Sequence, residues 1–381
     1  MALRISLHGG FGEKGRTSLA IHHAGYSVLF DCGINTSDRA TWYPAISRAE
    51  LARLDALVIT HAHEDHAAAL GWCLANGFAG RILMTPEARS DAEEVWAAYA
   101  TPEEYRLASS AEFHSLPMQG RIALGPFSLT TGRSGHVVGG VWCHVAAGGT
   151  SLLYCGDLLP HSPLLPFDPM PPSRAIALDI SYGADDVPLA ERVGVIRAFV
   201  AAHPTCILPT PQVGRSLELF ALLDQPMALA PGMRDALAAQ IRQQKWLAAR
   251  LAPHLAAKLD QAKDWQFGQP FPDACLLCQD GMGMAGPSRE ILAEAERIGH
   301  PVLLTGHLPA GSPGSRMLDA GRAQWARLPT HPTVSENRAL LIASGAQIVL
   351  GHSCSNAVLE EIAPLLPGLR RELRSGQLIQ L

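Results

Sequence analysis

The stretch Thr60-His61-Ala62-His63-Glu64-Asp65-His66 constrains this chain more than any other. It sets three imidazoles and the Asp65 carboxylate within six residues. The apolar run Ala56-Leu57-Val58-Ile59 before it reads as a buried strand, and Ala67 to Leu74 after it as a helix. Side chains in such a strand-to-helix turn can converge on one point. His61 and His63 alternate like strand residues and face one side, while Asp65 and His66 face a second point close by. The spacing therefore predicts two metal ions. Imidazole nitrogen with carboxylate oxygen suits Zn²⁺, then Mn²⁺ or Fe. Packing gives no reason to cluster these residues directly after a hydrophobic strand, so a merely polar surface loop explains the run poorly.

A chain of 381 residues is too long for one ordinary core, and two domains are expected. Its net charge is −5 and it has no basic run. Nucleic-acid binding by overall charge is therefore excluded, and only a local basic groove is left open. The first residues reach Gly9 before a signal-peptide core can form, and no apolar run approaches the roughly 20 residues of a membrane span. A cytoplasmic location, with no membrane partner, is the expectation. The 8 cysteines are scattered through apolar runs and read as reduced, buried thiols. Cys275-Leu276-Leu277-Cys278 has no second pair nearby and reads as core.

In chain order, strands are expected at 3–7 and 17–21, flanking the glycine-rich loop His8 to Arg16, and again at 28–33. Asp31, at the end of the last, either orients a ligand imidazole or caps the turn. A short helix at 43–53, a strand at 81–85 and a helix from Pro86 to about residue 110 follow. A hairpin turns at Gly125-Pro126. His136, between glycines at a strand mouth, is a candidate third ligand. Two strands, 141–145 and 151–155, lead to Gly156-Asp157, where a bridging carboxylate would sit. A proline-rich crossing at 160–172 marks a boundary. Beyond it, strands at 175–180, 205–209, 274–278 and 301–305 alternate with helices at 190–202, 216–224 and 234–262. This alternation predicts a small parallel α/β domain.

His61, His63, Asp65, His66, His136 and Asp157, in this order, resemble the metallo-β-lactamase superfamily. Residues 7–16 are similar to the first loop of its ribonuclease J group. The runs at 209–219, 281–287 and 305–316 resemble the β-CASP domain of nucleic-acid-processing members, such as ribonuclease J and the cleavage-and-polyadenylation nuclease. The resemblance implies an α/β fold: a metallo-β-lactamase αβ/βα sandwich with an inserted small parallel β-CASP-like domain. The expected segments are 1–165 for the first part, 166–327 for the insert and 328–381 for the return. It also implies roles for Asp179, His331 and His352, which match the three extra motifs of that group.

On this basis His61, His63 and His136 are expected to hold one metal, and Asp65, His66 and His352 the other. Asp157 bridges the two, which are expected to be Zn²⁺ with Mn²⁺ or Fe as alternatives. His331 would stabilise charge on a phosphate, Asp65 would help to orient the nucleophile, and Asp179 would orient an imidazole. The expected activity is hydrolysis of RNA or single-stranded DNA by a metal-bridging hydroxide. The acidic net charge and an insert of only about 150 residues favour the alternative, a hydrolase of a small ester, lactone, thioester or phosphoester. A non-catalytic assembly subunit is a third reading, and a homodimer is compatible with any of them. His8, His144, His203 and His307 are expected to be structural.

Overall fold

A computed structural model describes residues 3–381. The chain divides into two compact units. The first takes in the chain up to Ser162, Phe167–Asp186 and His331–Leu381, and the second takes in Pro163–Pro166 and Val187–Thr330.

Two sheets make up the first unit. The seven-stranded sheet runs in the order Leu378–Gln380, Arg4–Gly9, Ser18–His23, Tyr26–Phe30, Ala56–Val58, Arg81–Met84, Phe113–Ser115. Its first four strands pair antiparallel and the remainder parallel. The central parallel strand Ala56–Val58 is buried along its whole length, as a strand covered on both faces must be. The six-stranded sheet runs Ile348–His352, Ala175–Asp179, Thr150–Tyr154, Val141–Ala147, Phe127–Arg133, Gly120–Leu124. Phe30 meets Tyr154 at 5.3 Å between ring centroids, and Tyr26 meets Phe127 at 6.2 Å, so aromatic pairs join the two sheets.

The parallel strands explain where chemistry can gather. Tyr26–Phe30 ends at Asp31, Ala56–Val58 leads to the histidine turn, and Thr150–Tyr154 leads to Asp157. Asp179 and His352 are register partners at the ends of their own adjacent parallel strands. Carboxyl ends of parallel strands are where open sheets bind ligands.

Several expectations need correction. Ala175–Asp179, assigned to the insert on sequence, is an interior strand of the first unit's sheet. It pairs parallel with Thr150–Tyr154 on one side and Ile348–His352 on the other. Its wholly apolar run up to Asp179 fits this fully buried position. The second unit's main segment accordingly starts at Val187 and ends at Thr330, rather than at 166 and 327. The helix from Pro86 is two helices, Pro86–Tyr99 and Pro102–Ser109. Pro102 keeps Thr101 out of the helical region, and Thr101 starts the second helix through a capping box with Glu104. The long helix at 234–262 is likewise Met233–Arg242 and Ala252–Gln261, with Pro253 in the first turn of the latter. The helix after the histidines begins earlier than expected, at Glu64, and pauses before Leu70–Ala75.

The second unit holds a parallel sheet in the order Ile207–Pro209, Cys275–Cys278, Met227–Leu229, Lys263–Asp264. A bridge from Ile207 to Val302 extends it. Helices Leu189–Ala202, Arg215–Leu222 and Ser288–Ile298 alternate with these strands. All eight cysteines are buried and none forms a disulfide. Among the described residues no helix is long and apolar enough to cross a membrane.

Candidate metal centre

The histidine turn is held by its neighbours' backbone. Thr17, Cys32 and Ile34 donate their N–H groups to the carbonyls of Asp65, His66 and Glu64 at 2.8, 2.8 and 3.0 Å. Gly33 permits this approach, because a Cβ there would lie 1.7 Å from the Asp65 carbonyl oxygen. His63 occupies the N-cap of Glu64–Ala67 in an extended conformation, which places Asp65 and His66 in the first helical turn.

Asp31 underlies the turn. It is fully buried in a left-handed backbone conformation, φ 58°. Its carboxylate accepts the Thr60 N–H at 2.7 Å, the Thr60 hydroxyl at 2.9 Å and the Tyr154 hydroxyl at 2.7 Å. It also lies 2.7 Å from His66 Nδ1. A proton on that nitrogen leaves Nε2 as the atom turned to the site. Of the two roles open to Asp31, the geometry therefore shows imidazole orientation, with the turn held as well.

The remaining groups converge on Asp157. Its Oδ1 lies 3.1 Å from His66 Nε2, and its Oδ2 lies 3.6 Å from His61 Nε2 and 3.5 Å from His136 Nε2. His63 Nδ1 is 3.1 Å from His136 Nε2. One ligand atom from each of His61, His63, His136 and Asp157 falls within 4.8 Å of all the others. Asp65 reaches to 3.8 Å from His66 Nε2. His352 is fully buried with its Nδ1 3.0 Å from the Ser353 hydroxyl, and it feels the charges of Asp179, Asp157 and His66.

Four buried atoms here have no hydrogen-bond partner: His61 Nε2, His66 Nε2, His352 Nε2 and Asp157 Oδ1. His66 Nε2 and Asp157 Oδ1 face each other at 3.1 Å as an ion pair, whereas an unpartnered buried nitrogen such as that of His61 or His352 costs about 1–3 kcal/mol. Cations bound among them would satisfy all four. The donor set of imidazole nitrogen and carboxylate oxygen is one that Zn²⁺ or a neighbouring divalent ion accepts. The residues present thus fit a metal centre.

Electrostatics suit ligation at three of the imidazoles, with His66 the exception. Burial pushes His61, His63 and His352 down, toward the neutral imidazole that ligation requires. Burial opposes charge on His66 too, but Asp157, Asp65 and Asp31 raise it well above the usual range. Burial likewise disfavours charge on Asp157, yet His66, His331 and His136 hold it well below the usual carboxylate range.

Asp179 and His331 form a second pair beside the first. Asp179 Oδ2 lies 2.8 Å from His331 Nδ1 and accepts the Leu158 N–H at 3.2 Å. Its other oxygen accepts the Ser181 N–H and hydroxyl at 3.0 and 2.6 Å. His331 Nδ1 is 3.8 Å from Asp157 Oδ2. Burial opposes charge on His331, but Asp179 and Asp157 raise it to about 10. Asp157, Asp179 and His331 make a second three-residue group of possible ligands.

Residues 12–191 match the family model of the metallo-β-lactamase superfamily. The match spans just under half of the chain, and within it the sequence is that of a metallo-β-lactamase superfamily domain. Proteins of this superfamily bind metal ions, and His61, His63 and Asp157 follow strands with parallel partners, with His136 brought to them from beyond the antiparallel strand Phe127–Arg133. Transcription termination factor FttA of Cenarchaeum symbiosum is 26% identical over 375 residues, 84% of this chain and 58% of that protein. FttA of Pyrococcus abyssi is 26% identical over 344 residues, 76% of this chain and 53% of its own. Endoribonuclease YSH1 of Yarrowia lipolytica is 26% identical over 250 residues, 60% of this chain and 30% of that protein. The chain thus spans between 30% and 58% of the length of these relatives. A crystal structure of a protein of unknown function from Enterococcus faecalis V583 has the same fold, with TM-score 0.64 over 100% of both chains at 13% identity.

Every residue singled out on sequence for the site lies in the first unit. The supporting groups that sequence reasoning passed over are Thr60, Tyr154, Ser181 and Tyr182. Ser181 and Tyr182 follow Asp179 after Ile180, and that nearness is the one signal the sequence offers for them.

Proposed function

We propose that this chain is a dinuclear metal-dependent phosphodiesterase that cleaves RNA or single-stranded DNA. The observation that carries it is the close grouping of His61, His63, His136 and Asp157, joined by His66 and by His331. His61, His63 and His136 would hold one cation, Asp65, His66 and His352 the other, with Asp157 between them. Zn²⁺ suits the donors best, and Mn²⁺ or Fe next. Such a pair supplies a water of lowered pKa and offsets the charge of a phosphodiester.

The chain's own groups do the rest. Asp31 fixes His66 so that one nitrogen faces the site. Asp65, half-exposed beside His66, is placed to orient an attacking water. Asp179 holds His331 by Nδ1, which leaves Nε2–H to donate to a phosphate oxygen as negative charge develops there. The curated relatives support a nucleic-acid substrate, since one is named an endoribonuclease. The segment 187–330, with its parallel sheet, supports the reading of a β-CASP-like insert.

Labelled RNA and single-stranded DNA, incubated with protein loaded with Zn²⁺ or Mn²⁺, test the proposal against a His63→Ala control. Cleavage by the unaltered protein alone is expected. Equal degradation by both, or by neither, rejects it. Turnover of small esters with none on oligonucleotides would transfer the same centre to the alternative substrate class, which the net charge of −5 favours.

A further inference from the structure

His331 is held by more than Asp179. The Tyr182 ring meets the His331 ring at 5.0 Å between centroids with 74° between planes, an edge-to-face contact. On another side the His136 ring lies 5.1 Å away at 39°. An Nδ1 hydrogen bond alone fixes one atom of an imidazole and leaves the ring free to pivot about it. A second contact on the ring removes that freedom.

The segment that carries Tyr182 is itself braced. Gly183 N–H bonds the Ile180 carbonyl at 3.0 Å, and Asp185 N–H bonds the Tyr182 carbonyl at 3.1 Å. Gly183 has φ 56°, and a Cβ there would lie 2.9 Å from Val358. The Asp185 carbonyl accepts the Val334 N–H at 3.1 Å, and the Asp186 carboxylate accepts the Ser335 N–H and hydroxyl at 3.0 and 2.7 Å. Asn337 donates to the Asp179 carbonyl at 2.8 Å. The turn at 181–186 is therefore fastened to the first turn of Val334–Ser344, the helix entered just after His331. Tyr182 and His331 stand on one braced frame.

We propose that Tyr182 is a positioning residue: it holds the His331 ring so that Nε2–H points at the phosphate oxygen on which charge develops. This rests on the phosphodiesterase reading above. The edge-to-face contact is made by the aromatic ring, so Tyr182→Phe and Tyr182→Ala should differ. Tyr182→Phe should retain kcat within about two-fold, and Tyr182→Ala should lower kcat by about 10- to 100-fold, the penalty of a misaimed group. KM and bound metal should change in neither, because neither proposed cation takes Tyr182 or His331 as a ligand.

The test pairs these kinetics on a labelled oligonucleotide with crystal structures of Tyr182→Ala and the unaltered protein. A displaced or divided His331 ring in Tyr182→Ala, with kcat lost and restored by phenylalanine, supports the proposal. An unchanged His331 ring, or a Tyr182→Ala variant with full kcat, overturns it. So does a Tyr182→Phe variant as impaired as Tyr182→Ala. If the unaltered protein cleaves no phosphodiester, the phosphodiesterase reading fails. The position of the His331 ring then still decides whether Tyr182 holds it.

Discussion

Two buried carboxylates each hold an imidazole by Nδ1, yet the imidazoles face different surroundings. Asp31 lies 2.7 Å from His66, and Asp179 lies 2.8 Å from His331. Both carboxylates are fully buried and take several further donors. His66 is also fully buried, whereas the His331 side chain is 19% exposed. The same bond therefore turns one Nε2 toward other donors inside the protein and leaves the other ring in reach of a molecule from solvent. Between these two pairs it is the burial of the imidazole that differs, since each is held by a buried carboxylate.

Asp157 lies between the two pairs, 3.1 Å from His66 and 3.8 Å from His331, so its removal should do the most damage. Asp157→Ala is expected to lose bound metal in elemental analysis and on the order of 10³-fold in kcat. Full metal content in that variant would break the comparison at its centre. Asp179→Asn is expected next, with about 100-fold lower kcat and unchanged metal content, because its imidazole partner is His331, which is assigned to neither cation. Asp31→Asn should instead weaken metal affinity about 10- to 100-fold, as measured by chelator competition. If Asp179→Asn strips metal as Asp31→Asn does, the two pairs do one job and the distinction fails.

A third carboxylate sharpens the contrast from outside the site. Asp91 has no imidazole, and burial, with the charges of Glu94 and Glu87, pushes it up to about 7. Its folded value lies above the unfolded one, about 3.9. The stability it contributes is complete below about pH 4 and is lost as pH rises toward 7. Asp91→Asn should therefore raise Tm at pH 8 and leave it nearly unchanged at pH 4. Equal shifts at both pH values would show that charge at this position does not matter.

The sequence made the core of the site legible because ligand-type residues sit at strand ends, where alternation and glycine punctuation expose them. His61, His63, His66, His136 and Asp157 could be singled out in this way. His352 could not, since a histidine after Ile348-Val349-Leu350-Gly351 looks like any buried strand residue, and only the family resemblance drew attention to it. Asp31 stayed open between two roles because three of its partners, Thr60, His66 and Tyr154, lie far along the chain. The strand Ala175–Asp179 was visible as a strand but not as a member of the first sheet. Its apolar run suits either sheet, and strand partners are chosen by packing far along the chain. The break at Thr101-Pro102 was written in the sequence, but the long alanine-rich pattern around it concealed it.

The position of Ile348–His352 beside Ala175–Asp179 also has a consequence in time. Ribosomes lengthen a chain by about 5–20 residues per second, and about 200 residues separate Asp157 from His352. All of His61, His63, His136 and Asp157 leave the ribosome roughly 10–40 s before His352 is made. Under the proposed ligand assignment, the donors of one cation are therefore all synthesised well before those of the second are complete.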